Sequence, residues 1–138
     1  KKLTSSGIPV MGHLGLTPQS LHQLGGYKVQ GRTDGEVMKA AALDLEKAGA
    51  FAIVLELVPE ELAKEITASL SIPTIGIGAG AVTDAQVLVW TDMAGLTAKP
   101  PKLAKAYRNL RQELLDAAKE YADEVRTGAF PTEAQTFH

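Results

Sequence analysis

The sequence contains no cysteine, so it can form neither disulfide bonds nor metal sites with thiolate ligands. Its 14 basic and 16 acidic residues nearly cancel, leaving a formal net charge of -2. This balance leaves no excess of positive charge with which to bind nucleic acid or an anionic membrane surface. The 138 residues are about the length of one ordinary domain.

Long apolar runs and targeting signals are also missing. No apolar stretch reaches the ~18 residues that a membrane-spanning helix needs. The opening KKLTSSG carries two lysines but lacks the apolar segment of a signal peptide. We therefore expect a soluble, cytoplasmic protein with no membrane contact. Because the chain has no initiating methionine and its first strand pattern starts at residue 8, we expect the natural chain to begin earlier.

Short, almost continuously apolar runs recur along the chain and predict strands. Runs of this kind are typical of parallel strands buried on both faces. The runs are IPVMG (8–12), FAIVLEL (51–57), PTIGIG (73–78) and QVLVW (86–90). Helical patterns separate most of them, so the sequence predicts an α/β fold with a parallel sheet.

Three segments show helical spacing of apolar residues. The first covers residues 36–48, where Thr33 and Glu36 have the spacing of a capping box, Asp34 is a second candidate cap and Gly49 is a suitable stop. The second begins at Pro59. The third is long and runs from about 101 to 127, closed by Gly128.

Chemically useful residues are expected where parallel strands end, because ligands collect at the carboxyl ends of such strands. His13 follows the first run and is either a group that binds substrate or moves a proton, or a histidine that ties down the next loop. Glu56 lies between two leucines, where a carboxylate is costly unless it pairs or takes up a proton. It is either an acid–base group or half of a structural ion pair.

Other strand ends give weaker signals. The segment GIGAG, with Gly78 and Gly80, could bring backbone N–H groups close to an anionic ligand, or could form a tight turn. Asp92 could face a site, although a role in the turn before Gly95 is favoured. The long loop 13–35 offers Lys28 and Arg32, which could hold an anion or simply be solvated.

Taken together, several motifs resemble one family, and their order along the chain matches as well. The motifs are GHLGLTPQS (12–20), GGYKVQGR (25–32), LELVPEELAKEIT (55–67), IPTIGIGAG (72–80) and the terminal GAFPTEAQTFH (128–138). The sequence resembles the ketopantoate hydroxymethyltransferase family over essentially its whole length.

The resemblance implies a (β/α)8 TIM barrel of the phosphoenolpyruvate mutase and isocitrate lyase type. It implies transfer of a hydroxymethyl group from 5,10-methylenetetrahydrofolate to 3-methyl-2-oxobutanoate, giving 2-dehydropantoate in pantothenate biosynthesis. By motif, Glu56 matches the family's proton acceptor and His13 a histidine lining the keto-acid site. Gly78 and Gly80 match a loop at the barrel mouth. The family uses Mg2+ and forms homo-oligomers, usually decamers.

The chain is about half as long as members of that family, and it resembles their C-terminal half. We therefore expect residues 1–138 to supply the last four strands of one barrel domain, with no metal ligand of their own. The Mg2+ ligands would lie in the N-terminal half, supplied by another segment or a second chain. The alternatives are another Mg2+-dependent 2-oxo-acid lyase or mutase of the same superfamily, and an inactive half-barrel. Exchange of the C-terminal helix between subunits stays open.

Overall fold

The structure, a computed structural model, describes residues 1–23 and 25–138. These residues form two compact units, Lys1–Val87 and Leu88–His138. The first unit contains the sheet, and the second contains the long C-terminal helix. The expectation that residues 1–138 form part of a single barrel domain stays a prediction.

The first unit is built on a four-stranded parallel sheet, as the apolar runs predict. The strands follow one another in chain order, so each new strand is added beside the previous one. They are β1 (Met11–Gly15), β2 (Ala52–Glu56), β3 (Thr74–Ile77) and β4 (Ala85–Gln86). The α/β class with a parallel sheet is therefore confirmed.

Helices cover one face of this sheet. A short helix, α1 (Lys2–Ser5), precedes β1, and the two longer helices are α2 (Gly35–Lys47) and α3 (Glu60–Ser69). Buried side chains of α2 and α3 pack against β2 and two adjoining loop residues in one apolar cluster. Its members are Met38, Ala42, Ile53, Leu55, Val58, Leu62, Ala63, Ile66 and Ala79. Burial of each large aliphatic side chain there contributes about 1.5–3 kcal/mol.

The other face of the sheet is less covered. Along β2, Ile53 and Leu55 are fully buried, whereas Val54 and Glu56 are only partly buried. Because side chains alternate between faces along a strand, Val54 and Glu56 share the face that α2 and α3 do not cover. The sequence predicted burial of both faces, but the two fully buried residues of β2, Ile53 and Leu55, lie on the face that the helices cover.

The first strand lies three residues later than expected, which changes the position of His13. Its predicted range was 8–12, and the strand spans Met11–Gly15. Pro9 has no N–H to give to a ladder, and the Ile8 N–H bonds back to the Leu3 carbonyl at 3.1 Å. His13 therefore lies inside β1 instead of following its end.

The helix predicted at 36–48 forms as α2, but its expected capping box does not. Asp34 occupies the N-cap position, without a hydrogen bond from its side chain. At the other end Gly49 takes a left-handed φ of +95°, as a helix stop requires. Pro59 precedes the first residue of α3.

The strand predicted at 86–90 is much shorter in the structure. β4 ends at Gln86, and the N–H groups of Asp92 and Met93 both bond to the Val89 carbonyl. These bonds begin a short helix, α4 (Trp90–Met93). Of the predicted strand, only Gln86 is in β4, and Trp90 is already the first residue of α4.

The long C-terminal helix, α5 (Leu110–Thr127), begins later than the predicted start near 101. Asn109 caps it by accepting a hydrogen bond from the Gln112 N–H at 3.4 Å. Just before that, the Tyr107 N–H bonds to the Met93 carbonyl at 2.8 Å, which holds this segment outside the helix. Gly128 ends the helix with a φ of +75°, as predicted. No helix in the described part of the chain is both long and apolar enough to cross a membrane.

Candidate active site

The structure brings His13, in the middle of β1, into contact with Glu56, the last residue of β2. In the register of β1 and β2, His13 lies opposite Val54 and Gly15 lies opposite Glu56. The two functional side chains reach towards each other on the less covered face, where His13 Nε2 lies 3.0 Å from Glu56 Oε2. The two strongest sequence candidates therefore form one site.

Both side chains of the pair are partly buried, and each keeps some surface that a ligand can reach. Side-chain exposure is 33% for His13 and 15% for Glu56. Imidazole and carboxylate groups at hydrogen-bond distance can share or transfer a proton, and either can turn towards a substrate. Which ring nitrogen of His13 carries hydrogen depends on its tautomer. Proton transfer and hydrogen bonding are the chemistry that this arrangement supports.

Gly15 holds the ends of the two strands together. Its φ is +88°, and a Cβ placed there would lie 2.8 Å from Val58 Cγ2 and 3.1 Å from the Glu56 carbonyl carbon. The next residue, Leu16, donates its N–H to the Glu56 carbonyl oxygen at 2.8 Å. Only glycine allows this close approach, so the backbone of Glu56 is fixed from the side of β1.

Leu57 follows Glu56 and has an unusual backbone conformation. Its φ is +50°, in the left-handed region that leucine rarely occupies. Such a conformation costs about 1–3 kcal/mol and persists where surrounding contacts enforce it. The Leu57 N–H donates to the Ile77 carbonyl at 2.9 Å, and its carbonyl accepts from the Gln30 N–H at 2.8 Å. Sequence patterns carry no signal of this feature, because leucine is not a residue associated with left-handed turns.

The glycine-rich segment after β3 forms a tight turn that contacts a side chain of the same chain. Gly78 and Gly80 have φ values of +65° and +78°. A Cβ on Gly80 would lie 2.5 Å from Glu60 Cγ, and the Ala81 N–H donates to Glu60 Oε1 at 3.4 Å. The carboxylate of Glu60 thus lies beside backbone that the sequence suggested could receive an anionic ligand. A ligand role for Gly78 and Gly80 stays a prediction.

The remaining sequence candidates lie in other segments of the chain. Lys28 and Arg32 are exposed, and their proposed contact with an anion stays untested. Asp92 is 7% exposed in α4, in the second unit, and its main-chain carbonyl accepts the Gly95 N–H at 3.1 Å. That bond uses the main chain, so a role of the Asp92 side chain in the turn before Gly95 stays a prediction.

Comparison with known proteins gives these residues a context. A family model described as ketopantoate hydroxymethyltransferase matches residues 1–133. The chain belongs to the ketopantoate hydroxymethyltransferase family. It is 56% identical over 137 residues to a Thermobifida fusca protein named 3-methyl-2-oxobutanoate hydroxymethyltransferase, covering 98% of this chain and 49% of that protein. Proteins of the same name from Acidothermus cellulolyticus (58% identity, 99% and 51% coverage) and Frankia alni (61%, 94% and 44%) are also similar.

The chain spans about half the length of the curated ketopantoate hydroxymethyltransferase relatives that it matches. The matching part is their C-terminal half, as the resemblance implied. The expected Mg2+ ion does not fit the residues present: within residues 1–23 and 25–138, no group of three or more His, Cys, Asp or Glu side chains is arranged to hold a metal ion. Of His13 and Glu56, only the Glu56 carboxylate is the kind of oxygen ligand that Mg2+ prefers.

Proposed function

We propose that the intact protein transfers a hydroxymethyl group from 5,10-methylenetetrahydrofolate to 3-methyl-2-oxobutanoate, giving 2-dehydropantoate for pantothenate and coenzyme A biosynthesis. The observation that carries the proposal is the contact of 3.0 Å between His13 Nε2 and Glu56 Oε2, which join the neighbouring strands β1 and β2. The names of similar proteins support the reaction type. Because these proteins are about twice as long as this chain, the activity is proposed for the intact protein.

The proposal includes a (β/α)8 barrel of the phosphoenolpyruvate mutase and isocitrate lyase type. The first unit would contribute part of that barrel, with the face bearing Val54 and Glu56 directed inward. Support comes from the parallel order of the four strands and from the helices covering only the opposite face. The missing strands would come from the remainder of the protein or from a second chain, and would pair with both edges of the sheet, β1 and β4.

Glu56 is the acid–base group in this proposal. Loss of a proton from carbon 3 of 3-methyl-2-oxobutanoate gives an enolate, whose carbon 3 then forms a bond to the methylene carbon of the ring-opened folate iminium. Water then cleaves the bond between that methylene carbon and the folate nitrogen, which supplies the new hydroxyl group and releases tetrahydrofolate. A carboxylate can accept that proton, or can exchange a proton with the new hydroxyl group. Deuterium exchange at carbon 3 in the absence of folate separates the two roles: a base at carbon 3 makes exchange depend on Glu56, whereas a group acting at the hydroxyl does not.

His13 has a supporting role next to this carboxylate. At 3.0 Å its imidazole can hold Glu56 by a hydrogen bond, and its 33% exposure leaves it accessible to a keto acid. A histidine in this position can donate to the carboxylate or carbonyl oxygen of the substrate while fixing the orientation of the acid–base group. We therefore propose His13 as a residue that binds the keto acid.

We also propose that the intact protein binds Mg2+, through ligands in the N-terminal half that this chain lacks. Mg2+ prefers several oxygen ligands in near-octahedral geometry, which the described residues do not supply. When bound, such an ion would polarise the keto group of the substrate. The roles proposed for Glu56 and His13 concern their own side chains: proton transfer for Glu56 and keto-acid binding for His13. Homo-oligomerisation, as a decamer, and a cytoplasmic location are further parts of the proposal, which sedimentation and cell fractionation would test.

A substrate comparison tests the proposed function. The purified intact protein should convert 3-methyl-2-oxobutanoate with 5,10-methylenetetrahydrofolate, and should not cleave a 2-methylcitrate-type substrate. Cleavage without folate-dependent transfer would show the related lyase chemistry instead. Measurement of intact mass belongs to the same experiment. A species near 14.6 kDa with no companion chain and neither activity would favour an inactive half-barrel.

A further inference from the structure

The feature that the proposed chemistry leaves unexplained is the backbone at Leu57. Within residues 1–23 and 25–138, Leu57 is the only non-glycine residue with positive φ. It directly follows Glu56, the proposed acid–base residue. Such a conformation persists only where the surrounding structure enforces it, and outliers of this kind cluster at functional sites.

The left-handed conformation of Leu57 changes the side of the sheet on which the next residue lies. Leu55 and Val58 are 0% and 2% exposed and belong to the same apolar cluster. In a regular strand these two side chains, three residues apart, would point to opposite faces. The turn at Leu57 brings Val58 back to the helix-covered side, while Glu56 stays on the face of His13.

The backbone around the turn is held from three directions. The Glu56 carbonyl accepts the Leu16 N–H at 2.8 Å, and the Leu57 N–H donates to the Ile77 carbonyl at 2.9 Å. The Leu57 carbonyl accepts the Gln30 N–H at 2.8 Å. Leu16 and Gln30 both belong to the long loop between β1 and α2, so the loop is fastened to two successive peptide groups of the site. These bonds require the direction that a left-handed residue gives to the chain.

The leucine side chain itself has a small part in this arrangement. Leu57 is partly buried, and it is neither in the apolar cluster nor among the apolar residues packed against it. A replacement at this position would therefore lose no side-chain contact within that cluster. Residues that tolerate positive φ should therefore replace leucine, and β-branched residues should not.

We propose that Leu57 is a positioning residue, whose left-handed backbone holds the Glu56 carboxylate against His13 for proton transfer. The inference rests on the proposed role of Glu56. It assigns the position a requirement for backbone conformation that the side chain alone would not indicate.

The test compares Leu57→Val with Leu57→Asn in the intact enzyme. Valine resists positive φ, so we expect kcat to fall about 10- to 100-fold, as small misplacements of catalytic groups do. KM for 3-methyl-2-oxobutanoate should stay within about 3-fold, because the proposed binding contacts to His13 remain. Asparagine accepts positive φ, and the matched Leu57→Asn variant should keep kcat within about 2-fold of wild type.

Crystal structures of the same variants give a readout that does not depend on substrate. The distance between His13 Nε2 and Glu56 Oε2 should stay near 3.0 Å in Leu57→Asn and increase in Leu57→Val. The two proposals can fail separately. If the intact wild-type protein shows no hydroxymethyl transfer, the proposed function is refuted. An increased distance between His13 and Glu56 in Leu57→Val would still support the positioning role.

Two results would overturn the positioning role. One is a Leu57→Val variant that keeps both kcat and the distance between His13 and Glu56. The other is a Leu57→Asn variant with a loss of kcat above about 10-fold, because the leucine side chain would then be the property required. If the valine variant does not fold, the asparagine variant alone still decides between the two explanations.

Discussion

Substitution of Gly15 by alanine tests how tightly the ends of β1 and β2 are joined. The substitution has two costs. A residue with a Cβ at φ +88° loses about 1–2 kcal/mol, the cost of left-handed backbone. The new methyl group would also lie 2.8 Å from Val58 Cγ2 and 3.1 Å from the Glu56 carbonyl carbon, and overpacking of this kind costs about 1–3 kcal/mol. We therefore expect Gly15→Ala to lower the free energy of unfolding by about 2–5 kcal/mol.

Gly7 provides a matched control for this experiment. Its φ is +78°, and a Cβ there would meet nothing within 4 Å. Gly7→Ala should therefore show only the backbone cost of about 1–2 kcal/mol. Urea titration of the intact protein gives the free energy of unfolding of both variants. The difference between the two losses isolates the clash of the new methyl group with Glu56 and Val58. Equal losses in the two variants, with unchanged dependence on urea, would refute the close approach of Gly15 to the Glu56 backbone.

Three further predictions concern the polar network and the glycine-rich turn of the first unit. Thr74→Val removes a fully buried hydroxyl that lies 2.8 Å from Thr67 Oγ1 and donates to Asp84 Oδ2 at 3.0 Å, so urea titration should show a loss of about 1–3 kcal/mol; an unchanged midpoint would contradict this. The N–H and hydroxyl of Thr74 hold the pKa of Asp84 below its ordinary value of 3.8. The stability from this ionised carboxylate is therefore complete above about pH 4 and is lost as the pH falls through the lowered pKa. Asp84→Asn should destabilise at neutral pH and have a progressively smaller effect as the pH falls below the ordinary carboxyl pKa of 3.8, and a loss independent of pH would argue against the network. Gly80→Ala should cost less stability in a Glu60→Ala background, because its Cβ would lie 2.5 Å from Glu60 Cγ; additive losses in a double-mutant cycle would exclude the contact.

The sequence predicted those features that depend on local pattern. Continuous apolar runs predicted the parallel sheet, since a strand packed inside an α/β fold needs few polar side chains. Gly49 and Gly128 were recognised as helix stops because a left-handed residue after a helix is usually glycine. Glu56 was found because a carboxylate between two leucines needs a partner. His13 drew attention through its position next to an apolar run.

Features that depend on contacts between distant segments could not be predicted. The shift of β1 follows from the bond between Ile8 and Leu3, and the late start of α5 follows from bonds between the segment before it and α4. The left-handed conformation of Leu57 depends on partners in two other segments. Similarly, Glu60 was interpreted only as an acid favoured at a helix start, although its carboxylate also lies against Gly80. Local propensity carries no information about such pairings.

The measurement that tests the central claim most directly is turnover by Glu56→Gln in the intact enzyme. Glutamine keeps the shape of the side chain and a hydrogen bond to His13, but it cannot take up the proton. Turnover should fall about 10²- to 10⁴-fold, the usual contribution of an acid–base group, while binding of 3-methyl-2-oxobutanoate largely survives. Glu61→Gln, at an exposed position in the first turn of α3, is the control and should stay fully active. Wild-type turnover by Glu56→Gln would remove Glu56 from the mechanism.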